Sequence, residues 1–271
     1  MKITACVPTF NEEKRIKYCL QCLKWCDSVL VIDKSSTDRT VELAKEMGAT
    51  VKVIPHEYGY DPHEMDHMLS LDCDWVVFFT CSDLIDKSLG LKVRELLSHT
   101  DADVIYVPFK QYVLGIHDKA SPWFTKQPRR LAARKSVIRI DETSVHGALY
   151  FSSSNNYCVE GYGSMYHLTH ETADGMMDRH IRYWRGEAAG FDSQSFKGPL
   201  KLITKNFLLT VKRGGYWKGW DIFALVCAYL SYFLMSFVYI WEKKRSKAPE
   251  VYQEIRDEVC RQWDSGVGSD G

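Results

Sequence analysis

Short apolar runs alternate with stretches of helical spacing through the first half of the chain. The period of the apolar positions predicts strands over Lys2–Val7, Ser28–Ile32, Thr50–Ile54, Trp75–Phe79 and Val104–Val107. Between them it predicts helices over Asn11–Trp25, Asp38–Met47, Pro62–Leu71 and Leu89–Ser98. Ser36 and Thr37 are capping candidates for the second helix, Asp38 belongs to its start, and Gly48 stops it. Strands that alternate with helices imply an α/β fold with a mainly parallel sheet covered on both faces. Ligands bind such sheets at the carboxyl ends of the strands. From Phe109 to Tyr166 the rhythm breaks into short pieces split by Gly, Pro and Ser, as expected of strands and loops that complete a site. From Glu171 onward the pattern is helical.

Within that helical part, Ile222–Ile240 runs 19 residues without a charge. That is long enough to cross a bilayer, for which about 18 apolar residues suffice. Serines and tyrosines interrupt it, and basic residues flank both ends: Lys212, Arg213 and Lys218 before it, and Lys243, Lys244 and Arg245 after it. A helix lying in the plane of an anionic membrane fits that symmetry best, with a true span or a protein–protein helix as the alternatives. The chain divides into a catalytic domain over 1–190, a helical membrane-associating or oligomerising region over 191–264, and a disordered tail over 265–271.

Composition narrows the class. Lysine plus arginine equals aspartate plus glutamate at 35 each, which argues against a nucleic-acid binder. Nine cysteines in 271 residues fall inside predicted elements, so they read as reduced and intracellular. Cys19, Cys22 and Cys26 share one helix face, where core packing is favoured over a three-thiolate metal site. The start of the chain shows no basic segment followed by a long apolar run, and hence no secretory signal.

Several motifs carry candidate chemistry. The stretch "HEMDH" places His63, Glu64 and His67 in a zinc-hydrolase spacing, on a short helix with no evident third ligand. "VPTFNEE", from Val7 to Glu13, and "VIDKSSTDRT", from Val31 to Thr40, end the first two strands, where a nucleotide would bind. Asp33 there can accept from a base imide or a ribose hydroxyl; its alternative role is capping the next helix. "DWVVFFTCSDLID" ends a buried strand on Thr80-Cys81-Ser82-Asp83, leaving Asp83 as a single carboxylate. Asp72-Cys73-Asp74 precedes the same strand and so lies at the amino edge, away from ligands.

The stretch from Ile3 to about Val53, with "VPTFNEE" and then "DSVLVIDKSSTDRTVELAKEMGATV", resembles the opening of family 2 glycosyltransferases of the GT-A fold. The resemblance returns more loosely over 74–85, 129–147 and 166–187. The segment "YHLTHETADGMMDRHIRYWRGEAA", with His167, Arg182 and Tyr183, is similar to the branch that builds lipopolysaccharide cores and capsules, as is "GGYWKGWDIFAL". In that family an Asp-x-Asp motif holds a divalent metal on the donor diphosphate. Here the resemblance leaves Asp83, with His167, to hold Mn²⁺ or Mg²⁺; metal-independent transfer is the alternative. The family's Val-His-Glu tripeptide reads Val145-His146-Gly147, so the base candidates are Asp141, Glu142 and His146. Arg129 or Arg130, in "PRRLAARK", would clamp the diphosphate, and Arg130 joins Pro8, Thr9, Glu12 and Asp33 as the expected nucleotide-binding set.

The resemblance implies an inverting enzyme that moves a sugar from a nucleotide-diphosphate donor, with UDP-hexose expected, to a lipid-linked or surface-polysaccharide acceptor. It would work at the cytoplasmic face of the membrane, with a homo-oligomer contact through 217–245 as a further option. The alternatives are a nucleotide-sugar-binding protein that has lost catalysis, and a zinc hydrolase.

Overall fold

The computed structural model describes residues 1–56, 62–141, 148–193 and 195–265, with side chains for all of these except 62–65, 140, 141, 148, 149 and 263–265. The elements in order are β1 (Ile3–Thr9), α1 (Ile16–Cys22), β2 (Ser28–Asp33), α2 (Thr40–Glu46), β3 (Thr50–Val53), α3 (Pro62–Leu69) and β4 (Trp75–Phe78). They continue through β5 (Asp83–Ile85), α4 (Lys87–Leu97), β6 (Val104–Val107), β7 (Phe109–Val113), β8 (Arg129–Arg134), β9 (Ile138–Asp141), β10 (Ala148–Phe151), β11 (Asn156–Cys158) and β12 (Met165–Thr169). Four helices close the described chain: α5 (Ala173–Ala189), α6 (Lys197–Lys212), α7 (Trp220–Arg245) and α8 (Ala248–Ser265).

Seven strands form the main sheet in the order β11-β6-β8-β4-β1-β2-β3. It is mainly parallel, and β8 runs antiparallel to both of its neighbours. β1 lies inside the sheet, so its alternating side chains meet two cores. Ile3, Ala5 and Val7 pack with Ile16, Leu43 and Leu89 from α1, α2 and α4. Cys6 points the other way, with Ile32, Val76, Met68 and Ile138. Two-sided burial explains why these strands read as continuous apolar runs.

A three-stranded sheet, β5-β12-β7, stands beside the main one and sets Asp83 opposite His167. It is the part of the chain whose periodicity was weakest, because its strands are short and partly exposed.

The first helix is shorter than its spacing predicts. Asn11 takes a left-handed φ of 54°. The amides of Asn11, Glu12 and Glu13 donate to Ser36 Oγ, Thr40 Oγ1 and Asp38 Oδ2 at 2.8, 2.7 and 3.1 Å. The loop after β2 thus takes up amides that would otherwise start the helix. Cys19 is fully buried in the core and all nine cysteines are free. Among the described residues no group of three or more His, Cys, Asp or Glu could hold a metal ion.

The helical end is not detached from the domain before residue 190. Trp184 of α5 donates from Nε1 to the Tyr232 carbonyl of α7 at 2.9 Å, and Glu187 accepts from the hydroxyls of Tyr232 and Ser236. α7 has 26 residues, longer than the 19 predicted, and is apolar enough to cross a membrane. It buries Ile222, Leu225, Val226, Ser236 and Ile240 and exposes Phe223, Leu234, Val238 and Trp241. Trp217 and Trp220 at its start are 75% and 84% exposed, and α6 exposes Leu200, Leu202, Phe207 and Leu208.

Candidate functional site

The parallel register of β1 and β2 pairs Thr9 with Asp33 at their carboxyl ends. Thr9 Oγ1 donates to Asp33 Oδ1 at 2.9 Å. Ser36 donates to the same carboxylate from its hydroxyl at 2.6 Å and from its amide at 2.8 Å. Asp33 is fully buried. Sequence analysis gave it a direct contact to the nucleoside; the structure turns it inward, as the knot that ties the second loop to the first. Ser35, held at φ 57°, hydrogen-bonds the Ile54 carbonyl at 2.7 Å and fixes the far side of that loop.

Above these strand ends lies an inner cavity of about 420 Å³. Its wall is built by Pro8 and Phe10 from the end of β1, Lys34 after β2, Thr80–Ser82 after β4, His167 and Thr169 of β12, and Arg179, Arg182 and Tyr183 of α5. An outer cavity of about 520 Å³ adjoins it through Phe10, Glu12, His170, Arg179 and Arg182. Together they have the size of an ordinary small-molecule site. Thr172 caps the start of α5 by accepting from the Gly175 amide at 3.1 Å. Arg179 and Arg182 then fall three residues apart and both reach the cavity wall, while Met176, His180 and Trp184 are buried.

The inner cavity is rich in cations, whereas the outer one also carries Glu13, Asp38, Glu171 and Asp178. The inner wall carries Lys34, Arg179 and Arg182 against Glu12. Glu12 is committed elsewhere, receiving Arg15 Nη2 at 2.6 Å and Nε at 2.7 Å. Burial raises the pKa of Glu12, and the Arg15, Arg179 and Arg182 charges pull it back. Arg15 Nη1 also donates to Ser82 Oγ at 2.9 Å. Arg179 donates to Thr169 Oγ1 at 3.3 Å, and its pKa is lowered by burial and then by Arg15. Arg182 lies over the Phe10 ring at 5.1 Å. Among the described residues neither Arg179 nor Arg182 has an ion-pair partner.

Asp83 is fully buried at the start of β5. Its Oδ1 lies 2.7 Å from His167 Nδ1, and its Oδ2 accepts from the Thr80 amide and hydroxyl, each at 2.8 Å. A carboxylate only accepts, so His167 donates from Nδ1. Arg129 Nη2 stands 3.9 Å from Asp83. Arg130 projects from the other face of β8, between Phe78 and Phe151 at 4.8 and 4.4 Å, with burial lowering its pKa. Sequence analysis put Arg130 in the nucleotide-binding set; the alternation of β8 gives the Asp83 side to Arg129.

The GT-A family resemblance implies a divalent cation at this strand end, and the residues present do not fit one. Mg²⁺ and similar hard ions need open carboxylate oxygens. Of Thr80-Cys81-Ser82-Asp83 only Asp83 is a carboxylate, both of its oxygens are taken, and Ser82 is held by Arg15. Of the two expected ligands, Asp83 has both carboxylate oxygens engaged by Thr80 and His167, while the His167 ring, hydrogen-bonded to Asp83 through Nδ1, borders the cavity. Asp74, in the other Asp-x-Asp, accepts the Lys2 amide at 2.6 Å at the amino edge, as its position before the strand implied.

Of the other expected residues, Pro8 and Glu12 line the cavity, and Thr9 lies beneath it, buried on Asp33. Asp141 closes β9, its side chain outside the described residues, and Glu142 and His146 also lie outside them. The side chains of His63 and Glu64 are outside the described set as well, on an eight-residue helix that also carries His67. Sequence analysis missed Arg15, Arg179 and His170. Arg179 could have been found from its three-residue spacing to Arg182, and Arg15 from its spacing to Glu12. His170 carried no local signal.

His170 has a left-handed φ of 56° and is 9% exposed, and its Nδ1 has no hydrogen-bond partner among the described residues. It lines both cavities. Burial, then the Arg179 charge, pushes its pKa down to about 4.

A mainly parallel sheet with a cleft at its carboxyl edge defines an α/β protein with a cavity where such sheets bind their ligands. Residues 4–157, more than half of the chain, match the family described as Glycosyl transferase family 2, and the chain belongs to that family. It is 25% identical over 205 residues to an uncharacterized glycosyltransferase of Rickettsia typhi, covering 72% of this chain and 70% of that one. A Rickettsia felis relative of the same description is 26% identical over 219 residues, covering 78% and 75%. Among solved structures it is similar to S. aureus TarS 1-349 in complex with UDP-GlcNAc, at 15% identity and a TM-score of 0.49, covering 94% of this chain and 92% of that one. It is also similar to a mannosyltransferase from Pyrobaculum calidifontis in complex with GDP-Man and Mn²⁺, at 14% identity and a TM-score of 0.48, covering 90% and 88%.

Two consequences can be measured. Asp83→Ala strands the Thr80 amide and the His167 Nδ1 proton, and it should cost about 3 kcal/mol in denaturant unfolding; a loss below about 0.5 kcal/mol would contradict the role given to Asp83. His170 is held neutral in the fold, while the unfolded chain takes up its proton near the ordinary value of 6.5. Its contribution is therefore intact above about pH 6.5 and is lost as pH falls toward about 4. His170→Asn should flatten the acid side of the stability profile between those values, as read by urea midpoints; an unchanged slope would contradict it.

Proposed function

We propose that this family 2 glycosyltransferase transfers a hexose, with inversion, from a nucleoside-diphosphate donor to a lipid-linked or surface-polysaccharide acceptor at the cytoplasmic face of a membrane. One observation carries the reading: two guanidiniums of α5 face a cleft at the carboxyl ends of β1 and β4, where a leaving diphosphate would lie. Pro8 and Glu12 border the donor, and Thr9 and Asp33 set the loop beneath it. Electrostatic stabilisation of the departing diphosphate supplies the largest catalytic term. A base must take the acceptor hydroxyl's proton as that oxygen attacks the sugar's anomeric carbon. Asp141, Glu142 and His146, at and after the end of β9, are its candidates.

The acceptor side rests on the apolar exterior of α6 and α7. α7 lies along α5 and is bonded to it through Trp184 and Glu187, so a helix in the membrane plane fits better than a span. Trp217 and Trp220 would enter the interface, and Lys243, Lys244 and Arg245 would face anionic headgroups.

A panel of UDP-, GDP- and dTDP-hexoses, followed by calorimetry and by release of nucleoside diphosphate, tests the donor. One nucleotide class should bind and turn over at least slowly by hydrolysis. Binding with no turnover toward any acceptor or water would favour the catalytically degenerate alternative. Binding of none would sink the donor reading. For the membrane, the protein should float with vesicles containing anionic phospholipid, and Trp217→Ser with Trp220→Ser should weaken flotation about tenfold. Equal flotation of wild type and the double variant would contradict the docking face.

A further inference from the structure

We propose that Arg179 and Arg182, with His170 beside them, hold the donor diphosphate in this chain in place of a divalent cation. The inference rests on the donor reading above and goes beyond it by naming what neutralises the leaving group. A diphosphate needs positive charge or strong donors around its oxygens, from whatever source. The strand end Thr80-Cys81-Ser82-Asp83 offers a cation a single carboxylate, and Asp83 is closed by Thr80 and His167. Charge comes from the opposite wall. Arg179 and Arg182 lie one helical turn apart on α5 and line both cavities, without an ion-pair partner among the described residues.

Two further features suit an anion. Guanidinium offers paired donors that match phosphate oxygens two at a time. His170, nine-tenths buried between the two cavities, has a ring nitrogen, Nδ1, with no hydrogen-bond partner among the described residues. A neutral imidazole can donate from that nitrogen to a phosphate oxygen without adding charge to the buried cluster. Among the described residues the one carboxylate of the inner wall, Glu12, is paired with Arg15, which keeps it from opposing the anion. The same replacement accounts for Ser82: a carboxylate there would pair with Arg15, whereas the hydroxyl accepts one of its protons and leaves the edge positive.

The test is calorimetric titration of the full chain with UDP, GDP, dTDP and inorganic pyrophosphate, in EDTA and again in Mn²⁺. The variants are Arg179→Ala, Arg179→Lys and Arg182→Ala, each checked by thermal melting. The proposal expects one nucleotide and pyrophosphate to bind in EDTA within about twofold of their Mn²⁺ affinity. It expects each alanine variant to lose about 10- to 100-fold with its melting temperature kept, and Arg179→Lys to fall between. Nucleotide binding that requires Mn²⁺ would overturn the arginine clamp and leave the donor reading standing. So would binding in EDTA that neither alanine variant weakens. Failure of every nucleotide in both conditions would remove the donor reading, and the clamp with it.

Discussion

The buried carboxylate of Asp83 is the constraint on which the site depends. A fully buried charge is tolerated only when its oxygens are satisfied. Here the donors come from two directions: the Thr80 turn that ends β4, and His167 on β12. Meeting that requirement locks the edge of the main sheet to the small sheet. It also sets the tautomer of His167 and fixes where α5 begins, since β12 leads directly into that helix. The cations of the cleft are therefore placed by a residue that itself never reaches the cleft.

Around this anchor the backbone is strained at the cleft. Asn11, Ser35 and His170, all non-glycine, sit at positive φ on three separate loops. Such conformations cost roughly 1–3 kcal/mol each and persist only where surroundings over-determine them. The surroundings are visible: Ser36, Thr37 and Asp38 exchange hydrogen bonds with Asn11 and Glu13, and Ser35 is tied to Ile54. From the other side, α7 grips α5 through Glu187, Tyr232 and Ser236. The apolar exterior and the cation-lined cleft are thus two faces of one packed unit.

The strand–helix rhythm was legible because strands buried on both faces must be apolar throughout, and Val104–Val107 and the carboxyl-edge position of Asp83 followed from it directly. Helix α1 was misread in length because its first amides are captured by side chains after β2, a tertiary effect that spacing cannot carry. The Arg129 and Arg130 pair was legible as basic, but not by face: one register step decides which enters the site. Asp33 looked like a ligand and is a loop tie, since sequence shows a carboxylate and not the hydroxyls that consume it. The arginines of α5 were half visible. Arg182 entered through a resemblance, whereas Arg179 needed the cleft to give it a purpose.

The most direct measurement of the central claim is hydrogen–deuterium exchange with and without saturating nucleoside diphosphate. The account predicts slowed exchange in the segments 8–15, 80–86 and 167–182, which lie far apart in sequence and meet only at the cleft. Protection confined to the 62–69 helix, or absent from 167–182, would contradict it.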